Sequence, residues 1–303
     1  NIGFGAFSGC DSLEMLTVPF IGASKTEKTF LAYVFGAEKY SDNEYSFAAY
    51  TDGSKLFIGD EHFENLVIPA TLATVRINTE TVEIGEGAFY CAYGLSNLVL
   101  DYPESLEKIG NSAFENCLSL GRFSSISAYV DLEWLSYVKE IGKNAFKAYT
   151  GNTDSKVEFI YPYSYSKTKA YLFKYAYPFT NLVKIPQLSN VEKIGEYAFY
   201  YCAAIDAIKF GDALKQIDRY AFFYCISLPT LTLPDSVENI GYAAFYACSG
   251  LLDVTFGKNI GEIGRYAFAD CSGLSQVVFT GDEPPILIEQ KVFCNSLKPV
   301  EGS

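Results

Sequence analysis

The strongest constraint on this chain is an internal period. The dipeptide Ala-Phe occurs eight times, with its Phe at Phe7, Phe89, Phe114, Phe146, Phe199, Phe222, Phe245 and Phe268. The last four are spaced 23 residues apart, whereas the earlier gaps are 82, 25, 32 and 53. Self-similarity at a fixed period of this size marks a stacked repeat architecture. The uneven early gaps mark insertions in a regular array. Aligned on Phe, the repeats read IGxxAFxxC, then xxL, two further residues, an aliphatic position and an apolar end. One clean copy runs Val237, Ile240, Gly241, Ala244, Phe245, Cys248, Leu251, Val254, Phe256; the next runs Ile260, Ile263, Gly264, Ala267, Phe268, Cys271, Leu274, Val277, Phe279.

The template translates into local structure. LxxVxF alternates with period two and predicts a half-buried strand. AFxxC is too short for an α-helix and predicts one helical or 3-10 turn. Gly after Ile is expected to free the backbone at a corner. Pro follows the strand in Val18-Pro19, Ile68-Pro69 and Leu233-Pro234, where the chain leaves the ladder. A single unit cannot bury its own apolar face, but stacked units bury each other's. The expected result is a parallel sheet beside a column of Phe. The 303 residues then form one solenoid of roughly ten turns.

Composition narrows the functional classes. Apolar residues make up 49% and charged residues 19%, a globular balance, and no run reaches the roughly 18 apolar residues of a membrane helix. Thirty-six Asp and Glu against 23 Lys and Arg leave a net charge of −13, which repels a phosphate backbone; with no Lys/Arg cluster, nucleic acid is not expected as a partner. A single His leaves little for metal binding or acid–base chemistry at neutral pH.

The eight cysteines follow the period. Cys10, Cys117, Cys202, Cys225, Cys248 and Cys271 each stand three residues after the template Phe; Cys91 stands two after, and Cys294 one after Phe293. Equivalent positions with parallel Cβ vectors favour a ladder of buried free thiols over disulfides or metal ligands.

IGxxAFxxCxxLxxVxF resembles the repeat of the BspA-type leucine-rich-repeat proteins, a family found mainly on bacterial cell surfaces. The resemblance rests on the eight Ala-Phe sites and is weak over residues 20–65, 124–136 and 150–190. It implies a right-handed leucine-rich-repeat superhelix, with a parallel sheet on the concave side and short helical or 3-10 turns on the other. It also implies an extracellular or surface location, no catalysis, no cofactor, and adhesion or other protein binding, with a host or matrix protein as partner. On this reading residues 1–303 are one solenoid, with irregular insertions at the three weak stretches and a C-terminal capping segment at 281–303. Asn1-Ile2-Gly3 enters the template partway through a repeat, as a trimmed or mature fragment would.

Insertions are where repeat proteins place specific contacts. Residues 157–185 predict a strand (Val157–Tyr161), a turn, a short amphipathic helix (about Ser166–Tyr177) and a strand (Leu182–Ile185), so that one repeat exchanges its Ala-Phe turn for a helix. Tyr161, Tyr163, Tyr165, Tyr171 and Tyr175 with Lys167 and Lys169 make this an aromatic, locally basic segment in an acidic chain, and the candidate ligand-binding patch. Tyr171 and Tyr175, four apart, better suit packing of that helix on the sheet, whereas Tyr163 and Tyr165, in the turn, suit either role.

A second tyrosine set, Tyr197, Tyr220 and Tyr266 before the Phe and Tyr90, Tyr200 and Tyr246 after it, predicts aromatic ladders. These stabilise the stack, or, if exposed, hold a sugar or a partner. The outward strand positions, such as Asp206, Lys209, Thr230, Thr232, Asp253 and Gln276, carry no aromatic anchor.

Enzyme motifs are absent. His62, among Asp60, Glu61 and Glu64, reads as an exposed loop residue. Ser41-Asp42-Asn43-Glu44 and Asn152-Thr153-Asp154 lack the spacing of a calcium loop. The expectation is a secreted or surface-displayed binding module. Carbohydrate recognition by tyrosine rows, or a spacer role within a longer surface protein, stand as alternatives.

Overall fold

The structure, a computed structural model, describes residues 1–27, 30–36, 57–58, 61–62, 68–69, 71–90, 92, 94–115, 117, 119–120, 132–147, 185, 187–282, 285 and 287–296. Its backbone is a solenoid of parallel strands. The longest sheet joins eight two-residue strands in chain order: Glu83–Ile84, Lys108–Ile109, Glu140–Ile141, Lys193–Ile194, Gln216–Ile217, Asn239–Ile240, Glu262–Ile263 and Leu287–Ile288. The Ile of every rung from Ile84 to Ile263 is buried, and its predecessor faces outward. Eight rungs make about seven turns, fewer than the ten expected from length.

The LxxVxF segments do form strands, but in two shorter sheets. Met15–Val18, Thr74–Ile77 and Asn97–Leu100 make one; Thr230–Thr232, Asp253–Phe256 and Gln276–Phe279 make the other. Both are parallel and in register. The longest sheet therefore lies on the Ile-Gly side of the repeat, which the sequence marks only as a corner. Two residues offer too little alternation to read as a strand.

The Ala-Phe turns form a third ladder. The residues two before and two after the Phe are left-handed: Tyr197 and Tyr201, Tyr220 and Tyr224, Ala243 and Ala247, Tyr266 and Asp270. Such residues break a helix, so the expected helical turn is instead a pair of tight turns, closed by bonds such as Tyr246 N–H to Ala243 O and Cys248 N–H to Phe245 O. The left-handed residues turn alternate amides along the solenoid axis. Ala243, Phe245 and Ala247 donate to Arg265, Ala267 and Ala269 of the next repeat at 3.0, 2.7 and 2.8 Å. Those bonds offset the roughly 1–2 kcal/mol that each non-glycine left-handed residue costs.

Between the ladders runs the column of Phe. Phe89, Phe114, Phe146, Phe199, Phe222, Phe245 and Phe268 stack with centroids 5.0–5.2 Å apart and planes within 11°, and Phe293 continues the column at 5.7 Å. Burial contributes roughly 1.5–3 kcal/mol for each such ring. Gly after Ile has a different role from the one expected of it. Neither Gly195 nor Gly241 has positive φ, but an added Cβ would lie 2.7 and 2.4 Å from the backbone of the preceding rung. The glycine allows two backbones to close, not one to bend.

Ile141 pairs directly with Ile194, and Phe146 stacks on Phe199 at 5.2 Å, across the widest gap between neighbouring rungs. The reading of residues 157–185 as a repeat with an exchanged turn falls, but for Ile185, outside the described residues. A 3-10 helix at Leu31–Phe35 lies between the turns of Phe7 and Phe89: Phe7 N–H donates to Val34 O, and Leu31 N–H donates to Ala88 O, both at 2.8 Å.

Candidate functional site

The expected ligand patch, Tyr161, Tyr163, Tyr165, Lys167, Lys169, Tyr171 and Tyr175, lies outside the described residues, as do Ser41–Glu44 and Asn152–Asp154. His62 belongs to a two-residue antiparallel strand opposite Phe57 rather than to an irregular loop. Among the described residues no cluster of His, Cys, Asp or Glu is grouped to hold a metal, and no helix is long and apolar enough to cross a membrane.

The described surface richest in aromatic groups is the turn edge of the later repeats. Left-handed backbone at Tyr197 and Tyr220 turns their rings outward, where they stack at 4.9 Å with planes 6° apart. The row continues edge-to-face through Tyr242, 5.3 Å from Tyr220 and 5.8 Å from Tyr266. A second row runs Tyr200, Phe223, Tyr246 at 4.9 and 5.1 Å, and a third pairs Tyr201 with Tyr224 at 4.7 Å. The anticipated ladders are thus present. Tyr242, Phe223, Tyr201 and Tyr224 lie outside the set read from the sequence, which took only tyrosines two before and one after the Phe; Tyr242 stands three before it, Tyr201 and Tyr224 two after, and Phe223 one after. Comparing every column around the Phe would have found them.

The geometry of the rows decides what they can hold. Face-to-face stacking leaves Tyr197 and Tyr220, and the Tyr200–Phe223–Tyr246 row, presenting ring edges and hydroxyls outward. A neutral sugar needs a free ring face. Tyr242, 40% exposed, stands across the run of its neighbours.

Cations frame this edge. Lys143 and Lys147 lie 5.9 and 5.8 Å from the centroid of Tyr197; Arg265 and Lys291 lie 4.7 and 5.8 Å from that of Tyr266. The Arg265 guanidinium donates to the Tyr266 hydroxyl at 3.0 Å, and that hydrogen bond holds the phenol below its ordinary range. Burial instead pushes Tyr200, Tyr220 and Tyr197 up. Hydrogen bonding to Asp270, followed by burial, pushes Tyr246 up to about 12. Glu196 sits between Lys143 at 3.5 Å and Arg219 at 2.6 Å, and Glu115 pairs Lys147 at 3.3 Å.

The outward strand positions are exposed or half-buried and free of aromatic anchors; Asp206, Lys209, Thr230, Thr232 and Gln276 all face solvent. Among the described residues no disulfide joins two cysteines. Cys117, Cys202, Cys225, Cys248 and Cys271 are buried, whereas Cys10 is exposed and Cys294 half-buried. The buried thiols are more than small hydrophobes. Each of the five donates to the carbonyl of the preceding repeat's template Phe, at 2.9–3.4 Å. In the last described repeat Ser296 stands at this position and donates to Phe268 O at 2.5 Å. Burial raises Cys225 and Cys248 well above the usual thiol range, which keeps them protonated and unreactive.

A family model described as a BspA type leucine rich repeat region matches the chain in six copies, over residues 51–176 and 166–298. No curated protein matches at a significant level. Similar solved structures include a leucine rich repeat protein of T. pallidum, 21% identical over 68% of this chain and 68% of that one, with a TM-score of 0.39. A leucine rich cell surface protein of Faecalibacterium prausnitzii A2-165 is 16% identical over 92% of this chain and 62% of that one, with a TM-score of 0.39; this chain spans less than two thirds of its length. The pneumococcal vaccine antigen PcpA is 16% identical over 95% and 83%, with a TM-score of 0.33. The family match extends over more than half of the residues and falls on the repeats whose Ile rungs, Phe column and thiol ladder are described above. The chain belongs to the BspA-type leucine-rich-repeat family.

Proposed function

We propose that this chain is a non-catalytic binding module of a secreted or surface-displayed protein, in which a rigid repeat scaffold presents an inserted tyrosine-rich segment to a protein partner. One observation carries the reading. The rungs at Ile141 and Ile194 pair directly and Phe146 stacks on Phe199, so the described residues on either side of the segment stand side by side in the scaffold. A segment anchored at both ends in a stacked scaffold loses less freedom on binding than a free peptide of the same length. Its tyrosines and lysines are residue types that supply contact area and charge in interfaces.

The test is an array of immobilised extracellular-matrix proteins and neutral glycans, probed with the chain and with its Tyr163→Ser/Tyr165→Ser variant. The expected outcome is retention on at least one matrix protein, weakened roughly tenfold or more in the variant, whose melting temperature stays unchanged. Equal binding by both proteins would remove the segment from the site. The neutral-sugar alternative is disfavoured by the described tyrosine rows, which spend their ring faces on one another.

A further inference from the structure

We propose that the turn edge between Lys143 and Lys291 binds a linear acidic polysaccharide, one that alternates charged and uncharged sugars. This is a second site, independent of the partner assigned to residues 157–185.

The inference begins from charge placement. The chain carries −13 overall, yet on the turns around Phe146 to Phe293, from three residues before the Phe to two after it, Lys143, Lys147, Arg219, Arg265 and Lys291 face only Glu196 and Asp270. In the column three residues before the Phe, successive rungs carry Lys143, Glu196, Arg219, Tyr242, Arg265 and Gln290. A cation therefore recurs at every second rung. Rungs of a parallel ladder are about 4.8 Å apart, so the cations repeat at about 10 Å. In an extended polysaccharide each pyranose unit advances by a distance close to one rung. A chain charged on alternate sugars therefore meets a cation with every charge.

Competing polymers fit less well. An extended acidic peptide rises about 3.3 Å per residue, so the side chains on one face recur at about 6.6 Å and fall out of step with the cations. Duplex DNA carries one charge per roughly 1.7 Å, a density that a net-acidic protein repels.

The remaining geometry suits an anion at the C-terminal node. Arg265 and Lys291 flank the same Tyr266 ring, and among the described residues no ion pair neutralises either of them. At the other node Glu196 holds Lys143 and Arg219, in exposed ion pairs of the kind that are weak and that a polyanion can displace. Tyr242, on the uncharged rung between Arg219 and Arg265, stands across the tyrosine row and faces the sugar without a charge.

The test uses hyaluronan, which bears one carboxylate per disaccharide, immobilised for interferometry with the full chain. Dextran and poly-glutamate serve as controls. The expected result is binding to hyaluronan that weakens with added salt, together with much weaker binding to both controls. Arg265→Ser/Lys291→Ser should weaken it roughly tenfold or more. Glu196→Gln should tighten it by releasing Lys143 and Arg219. If the double variant fails to fold, Arg219→Ser at the other node carries the same expectation. No binding of hyaluronan by the unaltered chain would overturn the proposal. So would equal affinity of the variants, or poly-glutamate held as tightly as hyaluronan. These outcomes leave the matrix-protein assay untouched, because none of the altered residues belongs to the segment 157–185.

Discussion

Two regions of this solenoid share an interior and differ outside. From Glu83 to Lys147 neighbouring rungs are joined by charge: Lys108 lies between Glu83 at 3.9 Å and Glu140 at 4.0 Å, Lys139 pairs Glu107 at 2.8 Å, and Lys147 pairs Glu115 at 3.3 Å. From Tyr197 to Tyr266 neighbouring rungs still share ion pairs, such as Arg219 with Glu196 at 2.6 Å, but the turn columns are in addition joined by stacked rings. The column one residue after the Phe runs Tyr90, Glu115, Lys147, Tyr200, Phe223, Tyr246, charged at two rungs of the first region and aromatic at all three of these rungs in the second. The Ile rungs and the Phe column cross from one region to the other without a break. Inner columns set the fold, and outer columns are left free to vary. Any specific surface should therefore be sought in the outer columns.

The shared interior makes the largest prediction. Gly142→Ala and Gly241→Ala, one in each region, place a Cβ within 2.8 and 2.4 Å of the preceding rung. Each should cost about 3 kcal/mol or more in urea unfolding, because backbone must move. Tolerance of either substitution would show that the ladders of the two regions are not equivalent.

The thiol ladder comes next. Cys248→Ala removes the donor to Phe222 O and should cost about 1–3 kcal/mol, whereas Cys248→Ser should recover at least half of that, as Ser296 already occupies the same position. If serine is no better than alanine, the thiol is present for its volume alone.

The outer columns separate the regions by mechanism. Phe223→Ala breaks the row between Tyr200 and Tyr246 and should cost about 2 kcal/mol at any salt concentration. Lys139→Met should cost under about 1 kcal/mol, and nothing in 1 M NaCl. Equal salt dependence of the two would abolish the distinction.

The smallest effect is one of pH. Cys225, Cys248 and Tyr246 have raised pKa values in the folded chain, so the native state holds their protons longer than the unfolded one does. The contribution of the two thiols is complete below their unfolded value of 9.0 and is lost as pH rises above it, and that of Tyr246 is lost as pH rises from 10.0 toward about 12. Thermal melts between pH 8 and 11 should fall in this window, and a flat profile would contradict it.

Much of the molecule was legible in the sequence, because a stack of repeats writes its contacts into a period. The Phe column, the buried thiols, the tyrosine ladders and the exposed strand face each follow from one residue type recurring at one position. Several features were not legible, for reasons of length and distance. A two-residue strand has no alternation to detect, so the longest sheet read as a corner. Most of the left-handed turn residues are Tyr, Ala, Ser or Lys, which give no signal of positive φ of the kind glycine gives at Gly5, Gly9 and Gly87 or Asn at Asn144 and Asn295. Nothing local announces that Phe146 stacks on Phe199 across the widest gap between neighbouring rungs.

The sequence by itself determined the family, the repeat and the interior columns, since these depend only on residues one period apart. The tertiary structure decided which rungs are neighbours, that the glycines serve close approach, that thiols meet carbonyls, and that tyrosine rings spend their faces on each other. Those are relations across the stack, fixed by the roughly 5 Å between rungs, and no single repeat contains that distance.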